Sequence, residues 1–245
     1  MNTFSVLAPR RFGRLFVSDA LNVARDPTLI FATVFSLMPS VAFFVGQESM
    51  DRAAEAAFGV AGASLYVAPV ALCLPAYLIG WVTGFLLLED RDEGTLAAID
   101  VTPVGKAGFM GYRVAITAVL TIAVTVFGAR LVVPGAGWAF VALLAVLVSL
   151  QAVSAAFVLP ALARNKVEGL AVTKLTNIAA IAPLLAIVPS PWRYLAGIVP
   201  SFWVGEMFGL SGARYLSMPV IVALALASHV AVALLFYELM QRRAG

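Results

Sequence analysis

Long apolar runs make up most of this chain, and the polar positions that interrupt them come in short clusters. A hydrocarbon core about 30 Å thick takes roughly 20 apolar residues of helix to cross, with about 17 as the lower limit. Six runs meet that length, over 29–46, 62–88, 109–133, 138–163, 171–188 and 219–239. The fifth carries Lys174, Thr176, Asn177 and Pro183 inside a run only just long enough, and its failure to span would move the C-terminus to the other side. Before the first run, Arg10, Arg11, Arg14, Ser18, Asn22 and Arg25 alternate at helical spacing with Phe12, Leu15, Phe16 and Val23. This predicts an amphipathic helix over 10–26 lying along the membrane surface, its basic side toward anionic headgroups. Arg25-Asp26-Pro27 closes it, because the residue before a proline is biased out of the helical region. A secretory leader is not expected, since 29–46 is too long for a signal core and the nearest small-residue site, Ala54-Glu55-Ala56, lies well beyond it.

The longest strongly polar interruption is 89–105, beginning Glu89-Asp90-Arg91-Asp92-Glu93-Gly94. Within it Leu96 and Ile99 lie three apart and share one helical face, and Thr102-Pro103 ends the stretch. Carboxylates before a first turn suit the positive end of a helix dipole, and Asp92 or Thr95 is placed to cap the free amides. The expectation is a short helix held just outside the membrane. A second unusual segment, 189–212, is too apolar for a free loop and too broken by Pro189, Pro191 and Pro200 to span. Its Trp192, Tyr194, Phe202 and Trp203 suit the membrane interface, so one or two short helices dipping part-way into the bilayer are expected there. Proline fixes its own backbone angle and donates no amide, so Pro191 and Pro200 mark the turns.

Composition turns the runs into a class. The 245 residues are 62% hydrophobic and only 12% charged, with a mean hydropathy of +0.99, far outside soluble domains. The net charge of +3 does not argue for nucleic acid, because membrane proteins concentrate Lys and Arg in cytoplasmic loops. Arg10, Arg11, Arg14, Arg25, Arg91, Lys106, Arg113, Arg164, Lys166, Lys174, Arg242 and Arg243 fall on one side of the six-span layout; Arg52, Arg130, Arg193 and Arg214 fall on the other. That asymmetry places both termini and the 89–105 loop in the cytoplasm. The single cysteine, Cys73, excludes an intrachain disulfide and reads as a small core residue. There is no Gly-x-x-x-x-Gly-Lys-Ser/Thr phosphate loop, and the lone His229 makes neither a metal site nor a triad. Glu48, Asp51, Glu55 and Glu206 fall outside the spans and Glu238 at the inner end of the last, so no mid-membrane carboxylate is evident for a proton-driven transporter.

Glu93-Gly94-Thr95-Leu96 followed by Val101-Thr102-Pro103 resembles the first cytoplasmic loop of ABC-2 type permeases, the membrane subunits of one class of ATP-driven ABC transporters. Asp100 departs from the apolar residue common there. The surface helix closed by Arg25-Asp26-Pro27 looks like the connecting helix of the same family, and 191–203 like its re-entrant helices between the fifth and sixth spans. The resemblance implies an all-α integral membrane protein: six transmembrane helices, an N-terminal amphipathic helix, a cytoplasmic coupling helix and a re-entrant element before the last span. It implies that Glu93, Gly94, Thr95, Leu96, Ile99, Thr102 and Pro103 couple to a separate ABC ATPase subunit. Leu96 and Ile99 would supply the apolar contact. Pro191, Trp192, Pro200, Phe202 and Trp203 would roof the substrate path. It also implies a second permease chain, identical or a paralogue, and no cofactor in this chain, with ATP and Mg on the ATPase.

The function expected is export across the cell membrane. Thr33, Ser36, Thr83, Thr117, Thr121, Thr125, Ser149, Gln151, Ser154, Thr176 and Asn177 scatter hydroxyls and amides among apolar residues, which suits a hydrophobic or amphipathic solute, drug-like or lipid-like. Small six-span ABC-2 chains resemble antibiotic export subunits, including fluoroquinolone-type exporters. The competing readings are an ion-gradient-driven secondary transporter, which inverted repeats would favour, and a non-transporting scaffold or immunity protein. The layout has a direct check. In a Cys73→Ala background, cysteines at Ser49, Ala136 and Ser211 should react with an impermeant thiol reagent in intact cells, and those at Asn2, Asn165 and Ala244 should not. Labelling at Ala244 alone among the last three would mean that the fifth run does not span.

Overall fold

A computed structural model describes residues 13, 17, 21, 25, 27 and 34–244. Its helices are α1 (Met38–Phe58), α2 (Ser64–Asp92), α3 (Thr95–Asp100), α4 (Gly105–Val132), α5 (Trp138–Leu162) and α6 (Lys166–Ala180). Two 3-10 segments follow, Ala182–Ile187 and Pro191–Ile198, then α7 (Ser201–Phe208) and α8 (Met218–Ala244). Among the described residues five helices are long and apolar enough to cross a membrane: Ser64–Asp92, Gly108–Val132, Trp138–Leu162, Lys166–Ile187 and Met218–Arg242. The amphipathic helix expected over 10–26 and the start of the 29–46 run lie, apart from isolated positions, outside the described residues.

Two helices form the centre. α2 and α5 are apolar all round, and 83% and 78% of their spanning windows are buried, against 28%, 22% and 17% for α4, α6 and α8. α5 packs on α2, α4, α6, α7 and α8. Apolar side chains gain nothing by leaving lipid for protein, so close contact in a membrane depends on small residues that let backbones approach. Gly80 and Gly84, four apart on α2, supply it. A Cβ on Gly80 would fall 2.6 Å from that of Ala155 and closer still to the Ala152 carbonyl oxygen; one on Gly84 would fall 2.9 Å from the Ala156 carbonyl and 3.1 Å from the Leu159 Cβ.

Around this seam the core divides by depth. Toward the Ser64 end of α2, Leu72, Ala76, Leu144, Val148, Phe202, Trp203, Ile221 and Ala225 pack together. Toward the Asp92 end, Leu87, Phe109, Met110, Val153, Phe157 and Met240 do so, with Leu96 and Ile99 of α3 packed against them.

Three local expectations need correcting. The polar stretch does not begin a loop at Glu89, because α2 continues through Asp92, each of Glu89, Asp90 and Arg91 finding a partner on another element. Neither Asp92 nor Thr95 caps α3; the N-cap position is Gly94 at φ 71°, a left-handed conformation that glycine adopts without Cβ strain, and no side chain caps the helix. The first apolar run does not end a helix at Gly46. α1 continues to Phe58 and carries Glu48, Asp51, Arg52 and Glu55; Asp51 accepts hydrogen bonds from the Ser64 amide and hydroxyl at 2.7 and 2.9 Å, tying α1 to the start of α2. In the fifth run α-helix gives way to 3-10 geometry at Ala182–Ile187, where Pro183 sits.

The glycine seam predicts an ordering of substitutions. Gly80→Ala and Gly84→Ala should each lower the thermal unfolding midpoint in detergent, as overpacking costs typically about 1–3 kcal/mol. Gly111→Ala, where nothing lies within 4 Å of the added Cβ, should be neutral or stabilising. Equal midpoints for Gly80→Ala and Gly111→Ala would contradict the seam.

Candidate functional site

The three residues that close α2 diverge to three neighbours. Glu89 Oε1 accepts from Lys166 Nζ at 3.0 Å, joining α2 to the start of α6. Asp90 Oδ2 accepts from Arg113 Nη2 at 2.7 Å in a buried pair, with Arg113 also over the Phe109 ring at 4.8 Å, joining α2 to α4. Arg91 donates to the carbonyls of Pro160, Ala163 and Arg164 at 3.1, 2.9 and 2.7 Å, joining α2 to the end of α5. The last carbonyls of a helix have no partner within it, and a cation there also meets the negative end of the dipole. Helix order therefore converges on one polar turn.

α3 hangs from this hub by its apolar side. Leu96 and Ile99 are half-buried against Leu87, Phe109, Met110 and Met240 of their own chain. Glu93, Gly94, Ala98, Asp100, Val101, Thr102 and Pro103 are exposed, Val101 by 88%. Thr95 opens the helix. Thr102 donates its hydroxyl to the Ile99 carbonyl at 2.7 Å, and Asp100 Oδ1 accepts from the Lys106 amide at 3.4 Å at the start of α4. Asp100, which sequence comparison marked as a departure, thus tethers the next helix. Sequence reasoning gave Leu96 and Ile99 the outward contact. In the fold they face the bundle, and the outward face is the exposed set.

At the other end of the bundle, 188–215 is organised by a pair that the sequence did not single out. Arg193 forks onto Glu206, Nε to Oε1 at 2.5 Å and Nη2 to Oε2 at 3.2 Å, with both side chains almost wholly buried. The same guanidinium donates to the carbonyls of Val188 at 3.0 Å and Ala213 at 2.7 Å and lies over the rings of Tyr194 and Tyr215. Burial pushes its pKa down, but the hydrogen bond and charge of Glu206 together hold it above its ordinary value. Tyr194 stacks on Trp203 at 6.0 Å, and Trp203 Nε1 donates to the Gly197 carbonyl at 2.9 Å. Pro191 starts the second 3-10 segment and Pro200 precedes α7. Phe202 is fully buried and Trp203 nearly so, whereas Trp192 is 76% exposed, so the three aromatics expected to act together are split between core and surface. The only sequence signal for the pair was the spacing of two opposite charges in an apolar segment.

Most interior hydroxyls are turned to backbone. Thr117 and Thr121 donate to the carbonyls four residues back, at 2.7 Å each, and Thr83 pairs with Thr117 at 2.8 Å. Gln151 Nε2 donates to the Cys73 carbonyl at 3.3 Å, and His229 Nδ1, fully buried, donates to the Ala225 carbonyl at 2.7 Å. Ser36, Thr125, Ser149 and Ser154 are likewise buried, Thr176 and Asn177 are not, and Thr33 lies outside the described residues.

Long apolar helices locked at their ends by ion pairs define a multi-pass, all-helical membrane protein. Residues 19–237 match the family described as "Fluoroquinolones export permease protein Rv2686c-like", and the chain belongs to that family. Two curated relatives are the fluoroquinolones export permease proteins MT2760 and Rv2686c of Mycobacterium tuberculosis strains CDC 1551 / Oshkosh and ATCC 25618 / H37Rv. Each is 27% identical over 212 residues, covering 83% of this chain and 84% of the relative. No solved structure matches the chain.

Removing one member of a buried ion pair leaves a desolvated charge and costs about 3–5 kcal/mol, whereas replacing both by apolar groups is often nearly neutral. Glu206→Gln should therefore lower the thermal midpoint strongly, and the double variant Arg193→Met with Glu206→Leu should recover part of the loss. A double variant less stable than Glu206→Gln would show that Arg193 acts through its carbonyl contacts and not through the pair.

Proposed function

We propose that this chain is the membrane-spanning permease subunit of an ATP-driven ABC exporter, moving an amphipathic antibiotic-like solute out of the cell with energy from a separate ATPase chain. Fluoroquinolones, named for the relatives, are the first substrates to try. The observation that carries the reading is α3. It is a one-to-two-turn helix outside the spans, fixed to the Asp92 end of the bundle by Leu96 and Ile99 and presenting Glu93, Ala98, Val101, Thr102 and Pro103 outward. A partner pressing on that face pushes through Leu96 and Ile99 onto α2, α4 and α8 together. The excess of Lys and Arg on this side supports a cytoplasmic position for it and for both termini, where ATP is available. A second copy or a paralogue completes the translocation path. The 188–215 cap closes its outer end, with Phe202 and Trp203 as the inner lining of the roof and Trp192 at the membrane interface.

Two variants separate docking from gating. Val101→Asp places a charge at the centre of the outward face; losing an interface anchor commonly costs roughly 2 kcal/mol or more, so ATPase co-purification should fall at least tenfold while the permease keeps its thermal midpoint. Leu96→Asp with Ile99→Asp should lower the midpoint as well, because those side chains hold α3 to its own chain. Trp203→Ala should change export or basal ATPase activity with co-purification unaltered. Normal co-purification and normal fluoroquinolone export in Val101→Asp would rule out α3 as the coupling element.

A further inference from the structure

α6 meets α2 and α5 with one side only. Gly169, Thr173 and Ala180 are buried on that side. Thr173 and Thr176 donate their hydroxyls to the carbonyls three residues back, at 2.8 and 3.0 Å, and Trp81 Nε1 donates to the Thr176 hydroxyl at 3.2 Å. The other side is bare and mostly apolar, with Val167, Leu170, Leu175, Ile178 and Ile181 exposed. Two polar residues, Lys174 and Asn177, are exposed among them. At about 100° per residue Lys174 falls near the middle of this face. The helix rises about 1.5 Å per residue, so within the span Lys166–Ile187 Lys174 stands about 12 Å along from Lys166 and Asn177 about 16 Å.

A charged side chain inside a spanning segment almost always faces the bundle interior or a water-filled cavity and pairs with another polar group. Lys174 does neither within its own chain. Its neighbours along the helix face, Leu170, Ala171, Asn177 and Ile178, include no carboxylate, and it makes no ion pair among the described residues. Snorkelling would carry its ammonium toward the nearer headgroups, but it would leave the Asn177 amide, deeper and on a short stem, facing hydrocarbon. A second copy of this chain does not supply the missing anion. The carboxylates among the described residues stand at the two ends of the bundle, those of α1 and Glu206 at one and those of 89–100, Glu168 and Glu238 at the other. We infer that Lys174 and Asn177 form the subsite of the translocation path that recognises the carboxylate of an amphipathic solute. The ammonium takes one carboxylate oxygen and the Asn177 amide donates to the other, residues three apart on a helix being surface neighbours. The apolar body of the solute lies along Leu170, Ile178 and Ile181. The inference rests on the export reading and deepens it by giving the exported solute an anionic group.

Inside-out membrane vesicles carrying the chain and its ATPase test this by ATP-driven uptake of a fluoroquinolone, which bears a carboxylate, and of its methyl ester, which does not. The unaltered chain should favour the acid over the ester about tenfold in kcat/KM. Lys174→Gln should raise KM for the acid about tenfold, as loss of a hydrogen bond to a charged group does, and Asn177→Leu should act in the same direction. Uptake of the ester, the thermal midpoint and ATPase co-purification should not move in either variant, and Lys174→Arg should keep the acid as a substrate. Lys174→Leu separates the subsite from a lysine that merely faces lipid: the subsite requires loss of selectivity for the acid, whereas a lipid-facing lysine predicts a higher midpoint and unchanged uptake. An unchanged KM for the acid in Lys174→Leu, or equal uptake of acid and ester by the unaltered chain, would overturn the subsite and leave export standing. Uptake of neither compound by the unaltered chain would overturn the export reading and the subsite with it.

Discussion

The close approach of α2 and α5 sets the rest of the architecture. Two helices that pack through Gly80 and Gly84 against Ala152, Ala155, Ala156 and Leu159 have no room to shear or separate without losing every contact along the seam. They therefore behave as one two-stranded post, and α1, α4, α6, α7 and α8 are placed by which side of the post they cover. Pro160 falls where the seam ends. It cannot donate to the Ala156 carbonyl, the group against which Gly84 lies, and its own carbonyl is taken by Arg91. The end of the post is thus also the start of the polar hub.

That position explains why three consecutive charged residues can sit in the last turn of an apolar helix. Successive residues on a helix point about 100° apart, so Glu89, Asp90 and Arg91 necessarily address different neighbours. Each neighbour presents the complementary group: Lys166 at the start of α6, Arg113 about two turns into α4, and the open carbonyls ending α5. The arrangement converts a sequence cluster that looks like an exposed acidic loop into a joint between four helices. α3 attaches to that joint through Leu96 and Ile99, which makes it an extension of the bundle and leaves only its far side for another molecule.

The class of the fold was legible because twenty-residue apolar runs have few other outcomes, and the five described spans follow those runs within a few residues except where polar ends found partners. The short helix after Gly94 was legible from Leu96, Ile99 and the Thr102-Pro103 stop. The direction its apolar face points was not. Periodicity says that two residues share a face and is silent on whether a partner chain or the parent bundle covers it. The Arg193–Glu206 fork was hidden for a related reason: their thirteen-residue separation spans a 3-10 segment, a proline turn and the first turns of α7, and no local pattern encodes such a contact. Gly80 and Gly84 could have been found, since two glycines four apart in an apolar helix are a recognised close-packing signal.

Polar chemistry is distributed by depth in a way the membrane explains. Fully charged pairs occur at the two ends, at Asp90–Arg113 and Lys166–Glu89 on one side and Arg193–Glu206 on the other. Between them, most hydroxyls bond to carbonyls of their own helix, as Thr117, Thr121, Ser149 and Ser154 do. Cross-helix polar contacts at mid-depth are single neutral bonds, such as Thr83 to Thr117, Trp81 to Thr176 and Gln151 to the Cys73 carbonyl. Interhelical hydrogen bonds of that kind average only about 0.6 kcal/mol in a bilayer, because the separated helices find other partners. The middle of the bundle is consequently held by shape, and the ends by charge. An outer helix such as α4 can change its lateral contacts with the post at small polar cost, while its registration is kept by Arg113 at the hub; a force delivered to α3 therefore tilts α4 about that end more readily than it slides it.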